Sequence, residues 1–187
     1  SYGGKNFSCT DRLKEIIEAL PSLEHVIYVE TSSAHENSLP LTKSWNEFLA
    51  SGSDDFFERP LFPFNHPGLI LYSSGTTGMP KCIVHKAAGV LLTHLKEQQL
   101  HCDIHPGDTV FYFTTCGWMM WNWLTSALAT GATVVLFDGN PAYPNLNTLF
   151  DLCEQEDVTL FGTSAKFIDS CRKAELSPTK THHFSAL

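Results

Sequence analysis

The amino-acid sequence predicts an α/β fold in which mainly parallel β-sheets are flanked by helices. Short apolar segments rich in β-branched and aromatic residues alternate with helix-length segments from residue 69 onward. A strand that returns to a parallel neighbour needs a crossover of about this length, which places helices over both faces of the sheet. With 43% hydrophobic residues among 187, the chain can also bury a core of its own.

Before residue 51 the sequence predicts two helices around one strand. Apolar residues recur at i, i+3, i+4 and i+7 in the first helix, the spacing of one helical stripe, and Pro21 ends it. The second helix is expected to carry Trp45, Phe48 and Leu49 inward. The predicted elements are a helix over 10–20, a strand over 26–29, a loop over 31–40 and a helix over 42–50.

The segment 51–67 mixes Gly, Pro, Asp and Phe in irregular order, which predicts a connector and a lobe boundary. Regular alternation follows it. In the first helix beyond the connector, Val90, Leu91, His94 and Leu95 share one side. The predicted strands cover 69–72, 82–84, 110–115, 133–137 and 158–161, and the predicted helices cover 86–101, 119–130, 146–155 and 164–173.

Charge and cysteine content limit the possible partners. The formal net charge of −8, from 12 Lys and Arg against 20 Asp and Glu, argues against a nucleic-acid or anionic-membrane surface. Six cysteines without a CxxC pair or a signal peptide indicate reduced thiols in the cytosol. The longest apolar helical candidate, 118–129, is interrupted by Asn122 and is too short to cross a bilayer. We therefore expect a cytosolic protein without membrane insertion.

One segment, YSSGTTGMPK over 72–81, combines the groups that suit a polyphosphate. Its glycines let backbone N–H groups turn toward one concavity, its hydroxyls add donors, and its lysine adds a positive charge. The loop is not a Walker A motif, because too few residues separate its glycines and a strand follows its lysine. A hairpin turn that only reverses the chain is the alternative. The candidate phosphate-binding residues are Ser73, Ser74, Gly75, Thr76, Thr77, Gly78 and Lys81.

This loop resembles the phosphate loop of the adenylate-forming enzymes, the superfamily of acyl-CoA synthetases, luciferases and peptide-synthetase adenylation domains. SSGTTGMPKCIVH and the later TTCGWMMWNWLTSALATGATVVLFDGNP are similar to the acetoacetate:CoA ligases of that superfamily. The resemblance is strongest over 69–141 and weakest before residue 61. It implies that residues 1–187 form an incomplete AMP-binding domain, part of a large N-terminal domain. The C-terminal domain with its catalytic Lys is then expected outside this chain.

The resemblance also implies a reaction. ATP would activate acetoacetate to acetoacetyl-CoA through an acyl-adenylate, releasing AMP and pyrophosphate, with CoA as co-substrate and Mg²⁺ accompanying ATP. The metal ligand is expected outside these residues, and the chain alone is expected to be inactive without the remainder of the protein. Two alternatives stay open. One is a ligase of the same superfamily that acts on another short-chain acid. The other is a noncatalytic nucleotide-binding domain.

The segment GWMMWNW over 117–123 is the candidate acyl-binding segment. Its spacing is also that of an apolar helical stripe that simply packs in the core. The resemblance implies that Met119 and Met120 wall the acyl pocket and that Trp118 holds its shape. Asn122 stands where acetyl-CoA synthetases have a gating His, so that role is left unassigned. We expect Asn122 or a backbone amide to meet the keto oxygen.

The remaining histidines are not predicted to be catalytic. His101 and His105, with Cys102 between them, lack a fourth zinc ligand, which favours a solvated helix end. His182 and its neighbour near the end of the chain are interpreted in the same way. His85 is expected to pack and to form hydrogen bonds. No metal site is predicted from these residues.

Overall fold

The computed structural model describes residues 2–29, 39–53, 57–73 and 78–187. They divide into two compact units, Ser1–Arg59 and Pro60–Leu187. The division lies within the segment 51–67, where the sequence predicts a lobe boundary. Among the described residues, no helix is both long enough and apolar enough to cross a membrane.

The first unit contains two helices and two short parallel strands. Strand β1 pairs with β2 in the register Val26 to Thr42, Ile27 to Lys43 and Tyr28 to Ser44. Most of the predicted loop over 31–40 lies outside the described residues. The elements are helix α1 (Thr10–Ala19), strand β1 (Val26–Tyr28), strand β2 (Thr42–Ser44) and helix α2 (Trp45–Ala50).

The predicted helix over 42–50 is wrong in its first three residues, which form β2. Pairing with β1 satisfies their backbone, and Ser44 then begins α2 through a capping box. The Ser44 hydroxyl accepts from the Glu47 N–H at 3.2 Å, and the Glu47 carboxylate accepts from the Ser44 N–H at 2.8 Å. The predicted inward side chains are also wrong, since Trp45, Phe48 and Leu49 are 44%, 46% and 55% exposed. The rings of Trp45 and Phe48 contact each other instead, with centroids 6.2 Å apart.

The second unit begins with an antiparallel hairpin and continues with alternating strands and helices. The predicted positions of these elements are confirmed to within a few residues. They are strand β3 (Pro67–Ser73), strand β4 (Lys81–Lys86), helix α3 (Ala87–Leu100), strand β5 (Thr109–Tyr112), helix α4 (Met119–Ser126) with a following 3₁₀ turn (Ala127–Thr130), strand β6 (Thr133–Val135), helix α5 (Thr148–Gln155), strand β7 (Leu160–Gly162), helix α6 (Ala165–Lys173) and a 3₁₀ turn (Pro178–Lys180).

The central sheet of this unit is parallel, with strand order β6-β5-β7. Strand β5 lies in the middle and separates two buried clusters. Val110 belongs to the cluster that contains Trp123 and Leu124 of α4. Phe111, the next residue, belongs to the cluster that contains Leu149 of α5 and Phe167 of α6. Because successive side chains of a strand point to opposite faces, helices cover both faces, as the sequence predicts.

Candidate functional site

The β3–β4 hairpin fixes the two ends of the predicted phosphate loop. Its last register pair joins Ser73 to Lys81, and the Lys81 side chain is exposed. Gly78 has a φ of 135°, which favours glycine, and an added Cβ would meet no atom within 4 Å. The predicted residues Ser74, Gly75, Thr76 and Thr77 lie outside the described residues. The structure therefore gives the anchoring residues of the loop, and the phosphate-binding role stays a prediction.

A cavity of about 620 Å³ lies between this hairpin, helix α3 and the start of helix α4. A second cavity, of about 270 Å³, shares Leu69, Val90, His94 and Asn122 with it. The larger cavity is mostly apolar, with Lys86 adding a positive charge. Its lining residues are Leu69, Leu71, Val84, His85, Lys86, Gly89, Val90, Thr93, His94, Met119 and Asn122.

Local periodicity explains why these side chains meet. Leu69 and Leu71 alternate along β3 and share one face, whereas Ile70 between them is 56% exposed. On α3, Gly89 and Val90 lie one turn before Thr93 and His94, so all four share a helix face. Met119 and Asn122 are related in the same way on α4. Three elements therefore each contribute one stripe to the same cavity.

A buried network of polar side chains links helices α3 and α4 next to the cavity. His94 Nδ1 lies 2.9 Å from the Ser126 hydroxyl oxygen, which in turn donates to the Trp123 carbonyl at 2.7 Å. The fully buried Gln98 donates through Nε2 to the same carbonyl at 2.7 Å and to the Ser126 hydroxyl oxygen at 3.2 Å. These bonds join α3 to α4, because His94 and Gln98 belong to one helix and their partners to the other.

Burial lowers the pKa of His94 from its usual value near 6.5. Glu97 opposes this shift by favouring the charged form, and the neighbouring His85 adds to it. Because the net pKa shift is downward, the imidazole is neutral at neutral pH. The cavity wall therefore contains the uncharged imidazole of His94, one nitrogen of which is hydrogen-bonded to Ser126.

The four predicted acyl-pocket residues occupy three different environments. Met119 and Asn122 line the cavity. Met120 instead packs against the buried cluster of Val110 and Trp123, on another side of α4. Trp118 precedes the helix and is 66% exposed. The acyl-binding roles of all four residues remain predictions.

The cavity also contains residues that were not among the sequence-predicted site residues. His94 is the chief example, because it is a buried polar residue on the apolar side of α3. Its signal was present in the sequence, where a histidine shares a predicted helix stripe with Val90 and Leu91. His85, which was expected to pack and to form hydrogen bonds, lies in the cavity wall.

Two of the other histidines, His105 and His182, lie close to carboxylates. His105 lies 3.7 Å from Asp103 and 3.9 Å from Asp108. His182 Nε2 lies 2.8 Å from the Asp151 carboxylate, and its ring stacks on Phe184 at 5.6 Å. Within the described ranges, no group of three or more His, Cys, Asp or Glu is arranged to hold a metal ion.

Comparison with known proteins gives related sequences over the whole chain. The acetoacetyl-coenzyme A synthetase of Rhizobium meliloti (strain 1021) is 46% identical over 189 residues, covering 100% of this chain and 29% of that protein. The malonamoyl-CoA synthetase vrtB of Penicillium aethiopicum is 41% identical over 195 residues, covering 95% of this chain and 27% of that protein.

A solved structure, acetoacetyl-CoA synthetase from Streptomyces lividans, superposes with a TM-score of 0.89 at 42% identity. The match covers 100% of this chain and 28% of that one. The chain therefore spans less than a third of the length of the relatives it matches. The model of the family described as AMP-binding enzyme matches residues 5–187. Because that match includes nearly every residue, the chain belongs to the AMP-binding enzyme family.

Proposed function

We propose that this chain is the phosphate-binding and acyl-binding part of an AMP-forming acid–thiol ligase that acts on acetoacetate. The Rhizobium and Streptomyces proteins, both named acetoacetyl-CoA synthetases, match the whole chain and support this assignment. The reaction would convert acetoacetate, ATP and CoA into acetoacetyl-CoA, AMP and pyrophosphate. The rest of the protein would supply the C-terminal domain and the catalytic Lys.

One geometric observation supports the proposal: a single hairpin borders both the predicted phosphate loop and the cavity. Strands β3 and β4 end at the pair Ser73 and Lys81, where the phosphate loop begins and ends. The same strands provide Leu69, Leu71 and Val84 to the wall of the 620 Å³ cavity. An acid in the cavity and a polyphosphate in the loop would therefore lie along one rigid support. Adenylation needs this proximity, because the acid carboxylate must reach the α-phosphate.

In the first step the acid carboxylate attacks the α-phosphorus of ATP, and the bond to pyrophosphate breaks. Negative charge collects on the departing β- and γ-phosphates, so donors oriented there beforehand stabilise the transition state. In the second step the CoA thiol attacks the acyl carbonyl and AMP leaves. We assign the first task to Ser73, Ser74, Thr76, Thr77, the amides of Gly75 and Gly78, and Lys81.

Mg²⁺ would accompany ATP and neutralise part of its phosphate charge. The described residues offer no cluster of three metal-ligating side chains, so they do not fit a complete protein-bound Mg²⁺ site.

For the acid we assign Met119, Met120 and Asn122 to the acyl pocket, with Trp118 holding its shape. Asn122 offers a side-chain N–H to the keto oxygen of acetoacetate. A substrate series of acetate, acetoacetate and butyrate tests this contact, since butyrate matches the length of acetoacetate and lacks the oxygen. Equal rates for butyrate and acetoacetate would contradict the role of Asn122.

The phosphate-loop assignment is tested in the full-length protein by combining Thr77→Val with Lys81→Ala. Both changes remove donors to the departing pyrophosphate, so we expect acetoacetate-dependent ATP–pyrophosphate exchange to fall by at least about 100-fold. Lys96→Ala is the matched control, because Lys96 is an exposed lysine on α3 outside the cavity lining. Exchange at the wild-type rate in the double variant would refute the assignment.

A second candidate is a ligase for a different short acid. The Penicillium relative is named for malonamoyl-CoA and is 41% identical to this chain, close to the identity of the proteins named for acetoacetate. Adding malonamate to the substrate series separates the two candidates by the ratio of kcat/KM values. If no acid supports exchange, a noncatalytic nucleotide-binding domain replaces both.

We also assign this ligase to the cytosol, with small molecules and the rest of its own chain as partners. The net charge of −8 supports the absence of nucleic-acid and anionic-membrane partners. Fractionation of cells that express the full-length protein tests the location. Recovery with the membrane pellet after a salt wash would contradict it.

A further inference from the structure

Gly89 lies in the wall of the larger cavity, and its backbone conformation does not require a glycine. It belongs to the first turn of helix α3 and is not among the glycines with a positive φ, so other residues can adopt its conformation. Glycine is also a poorer helix former than alanine, because it loses more conformational freedom on folding. Neither backbone conformation nor helix propensity therefore accounts for Gly89.

Packing does not account for Gly89 either. Apart from adjacent residues and the backbone of its own helix, a Cβ added to Gly89 would approach only the Cβ of Lys86 among the described residues. That distance of 3.8 Å is an ordinary van der Waals contact. Gly68, in the wall of the smaller cavity, is different, because a Cβ there would overlap Ala87. Close packing thus requires Gly68, whereas Gly89 adjoins open space.

The open space beside Gly89 is part of the larger cavity. Lys86 lies one turn before Gly89 and Thr93 lies one turn after it, and both also line this cavity. Residues at these spacings share one face of a helix. A side chain at position 89 would therefore project into the cavity, between those of Lys86 and Thr93.

The hairpin gives the cavity a near end and a far end relative to the predicted phosphate loop. Ser73 and Lys81 pair where that loop begins and ends, and Leu69 pairs with His85 about 13 Å further along the strands. Helix α3 follows β4 directly, so Gly89 lies toward the far end. An acid whose carboxylate reaches the α-phosphate of ATP would direct its opposite end toward Gly89.

The volume of the cavity exceeds what acetoacetate needs. Even at about 30 Å³ per non-hydrogen atom, the volume of a water molecule in the liquid, acetoacetate fills roughly 200 Å³. The cavity measures about 620 Å³, so most of it stays free. Its wall at the far end includes the apolar residues Leu69 and Val90, which suit an alkyl extension of the acid.

We propose that Gly89 is a specificity-determining residue: the side chain that it lacks leaves room for the alkyl end of linear 3-oxo acids longer than acetoacetate. The inference rests on the proposed function, because it takes the acid to be activated in this cavity. It keeps acetoacetate as a substrate and adds longer acids of the same class, such as 3-oxohexanoate. Larger residues at position 89 should exclude these acids in order of their length.

The test uses Gly89→Ala and Gly89→Val in the full-length protein. The measurement is kcat/KM for acid-dependent ATP–pyrophosphate exchange with acetoacetate and with 3-oxohexanoate. For the wild-type protein we expect the two values to agree within about tenfold. The ratio of 3-oxohexanoate to acetoacetate should fall about tenfold in Gly89→Ala, the effect of one methyl group in an apolar pocket, and further in Gly89→Val.

Gln99→Val is the matched control, because it places the same side chain at an exposed position of α3 outside the lining of both cavities. It should keep the wild-type ratio. Thermal unfolding gives an independent readout of packing. Gly89→Ala should not lower the Tm, because alanine favours the helix and the added methyl group enters open space.

Three results would overturn the inference. They are wild-type exchange with acetoacetate but none with 3-oxohexanoate, an unchanged ratio of the two acids in both Gly89 variants, and a lower Tm in Gly89→Ala. Failure of the proposed function is separate and visible, since the wild-type protein would then show no exchange with acetoacetate.

Discussion

The cysteines of this chain differ sharply in their surroundings. Burial raises the pKa of Cys153 to about 12, and the same cause raises the pKa of Cys171. Cys9, Cys82 and Cys116 are exposed. Because the thiolate is the reactive species, these two groups of thiols should respond differently to an alkylating reagent.

We expect iodoacetamide at about pH 8 to label Cys82 and Cys116 in the native protein while Cys153 stays unlabelled. With a pKa of about 12, only roughly one Cys153 thiol in 10,000 is ionised at that pH. Peptide mass spectrometry measures the modification at each site. Unfolding in urea before labelling is the control, and it should make Cys153 reactive. Equal native labelling of Cys82 and Cys153 would contradict the burial of Cys153.

His94 predicts a pH dependence of stability. Its pKa is lower in the folded state than the unfolded value near 6.5, so the unfolded chain binds the proton more readily as the pH falls. The contribution is therefore fully present above the unfolded pKa and is lost as the pH falls from about 6.5 to the folded pKa. Wild-type Tm should drop further than that of His94→Asn between about pH 7.5 and pH 5.5. Equal drops would show that His94 is not the group responsible.

At the residue scale, the sequence predicts which segment holds the candidate site residues better than it predicts where each side chain points. It predicts Met119 and Asn122 in one acyl-binding segment, and both line the cavity, but the helix turns Met120 toward the buried cluster of Val110. The direction depends on where α3 and the hairpin pack, which local spacing does not encode. Local spacing also assigns His94 to an apolar stripe. Its hydrogen-bond partner Ser126 is distant in sequence, so local spacing does not reveal that contact.

At the element scale, the pairing of β5 with β7 requires a small residue at position 162. Gly162 is the register partner of Tyr112, and a Cβ on Gly162 would overlap the Tyr112 ring. The ring cannot move freely, since it also contacts Trp123 at a centroid distance of 6.2 Å. Because Gly162 has no side chain, β7 leaves room for the Tyr112 ring of β5.

Gly162→Ala should therefore destabilise the protein by about 1–3 kcal/mol, the usual cost of overpacking. Urea-induced unfolding, followed by circular dichroism, measures the change in free energy. Gly117→Ala is the control, because a Cβ there meets no atom within 4 Å. Similar free energies for the two variants would mean that β7 adjusts to the added methyl group without strain.

Helices such as α5 and α6 of the second unit were predictable because each carries an apolar period and lies between turn residues. The first unit shows where such prediction fails. Helix α2 begins at a Ser44-x-x-Glu47 capping box, a signal present in the sequence, but the preceding β2 depends on pairing with the distant β1. Strand pairing is a nonlocal interaction. The sequence of residues 42–44 therefore does not by itself distinguish a strand from the start of the following helix.

At the scale of the whole molecule, the described residues around the boundary between the two units are open to proteolysis. The exposed fractions of Phe57, Leu61 and Phe64 are 74%, 97% and 61%, and none of the three lies in a helix or strand. Proteases cleave where the backbone is exposed and few bonds hold it. Buried aromatic residues such as Phe111, at 1% exposure, should be protected.

We expect limited chymotrypsin digestion of the 187-residue chain to cut first after Phe57, Leu61 or Phe64 and to leave residues beyond 65 intact. Mass spectrometry of early products identifies the sites. Replacing these three residues together by Ser should delay the first cleavage. First cuts within α3 or the β5–β7 sheet would contradict the division into two units.

Strand β5 has one further consequence for the molecule. Val110 and Phe111 direct adjacent side chains into separate cores, one backed by α4 and the other by α5 and α6. Of these two cores, as far as the described residues show, the first contains Trp123, whose carbonyl accepts from Ser126 in the network with His94. Under the proposed function, substitutions that change which acid is accepted would lie on the α4 side of the sheet, away from the core formed with α5 and α6. A change of acid specificity would then not require changes in the core that packs against α5 and α6.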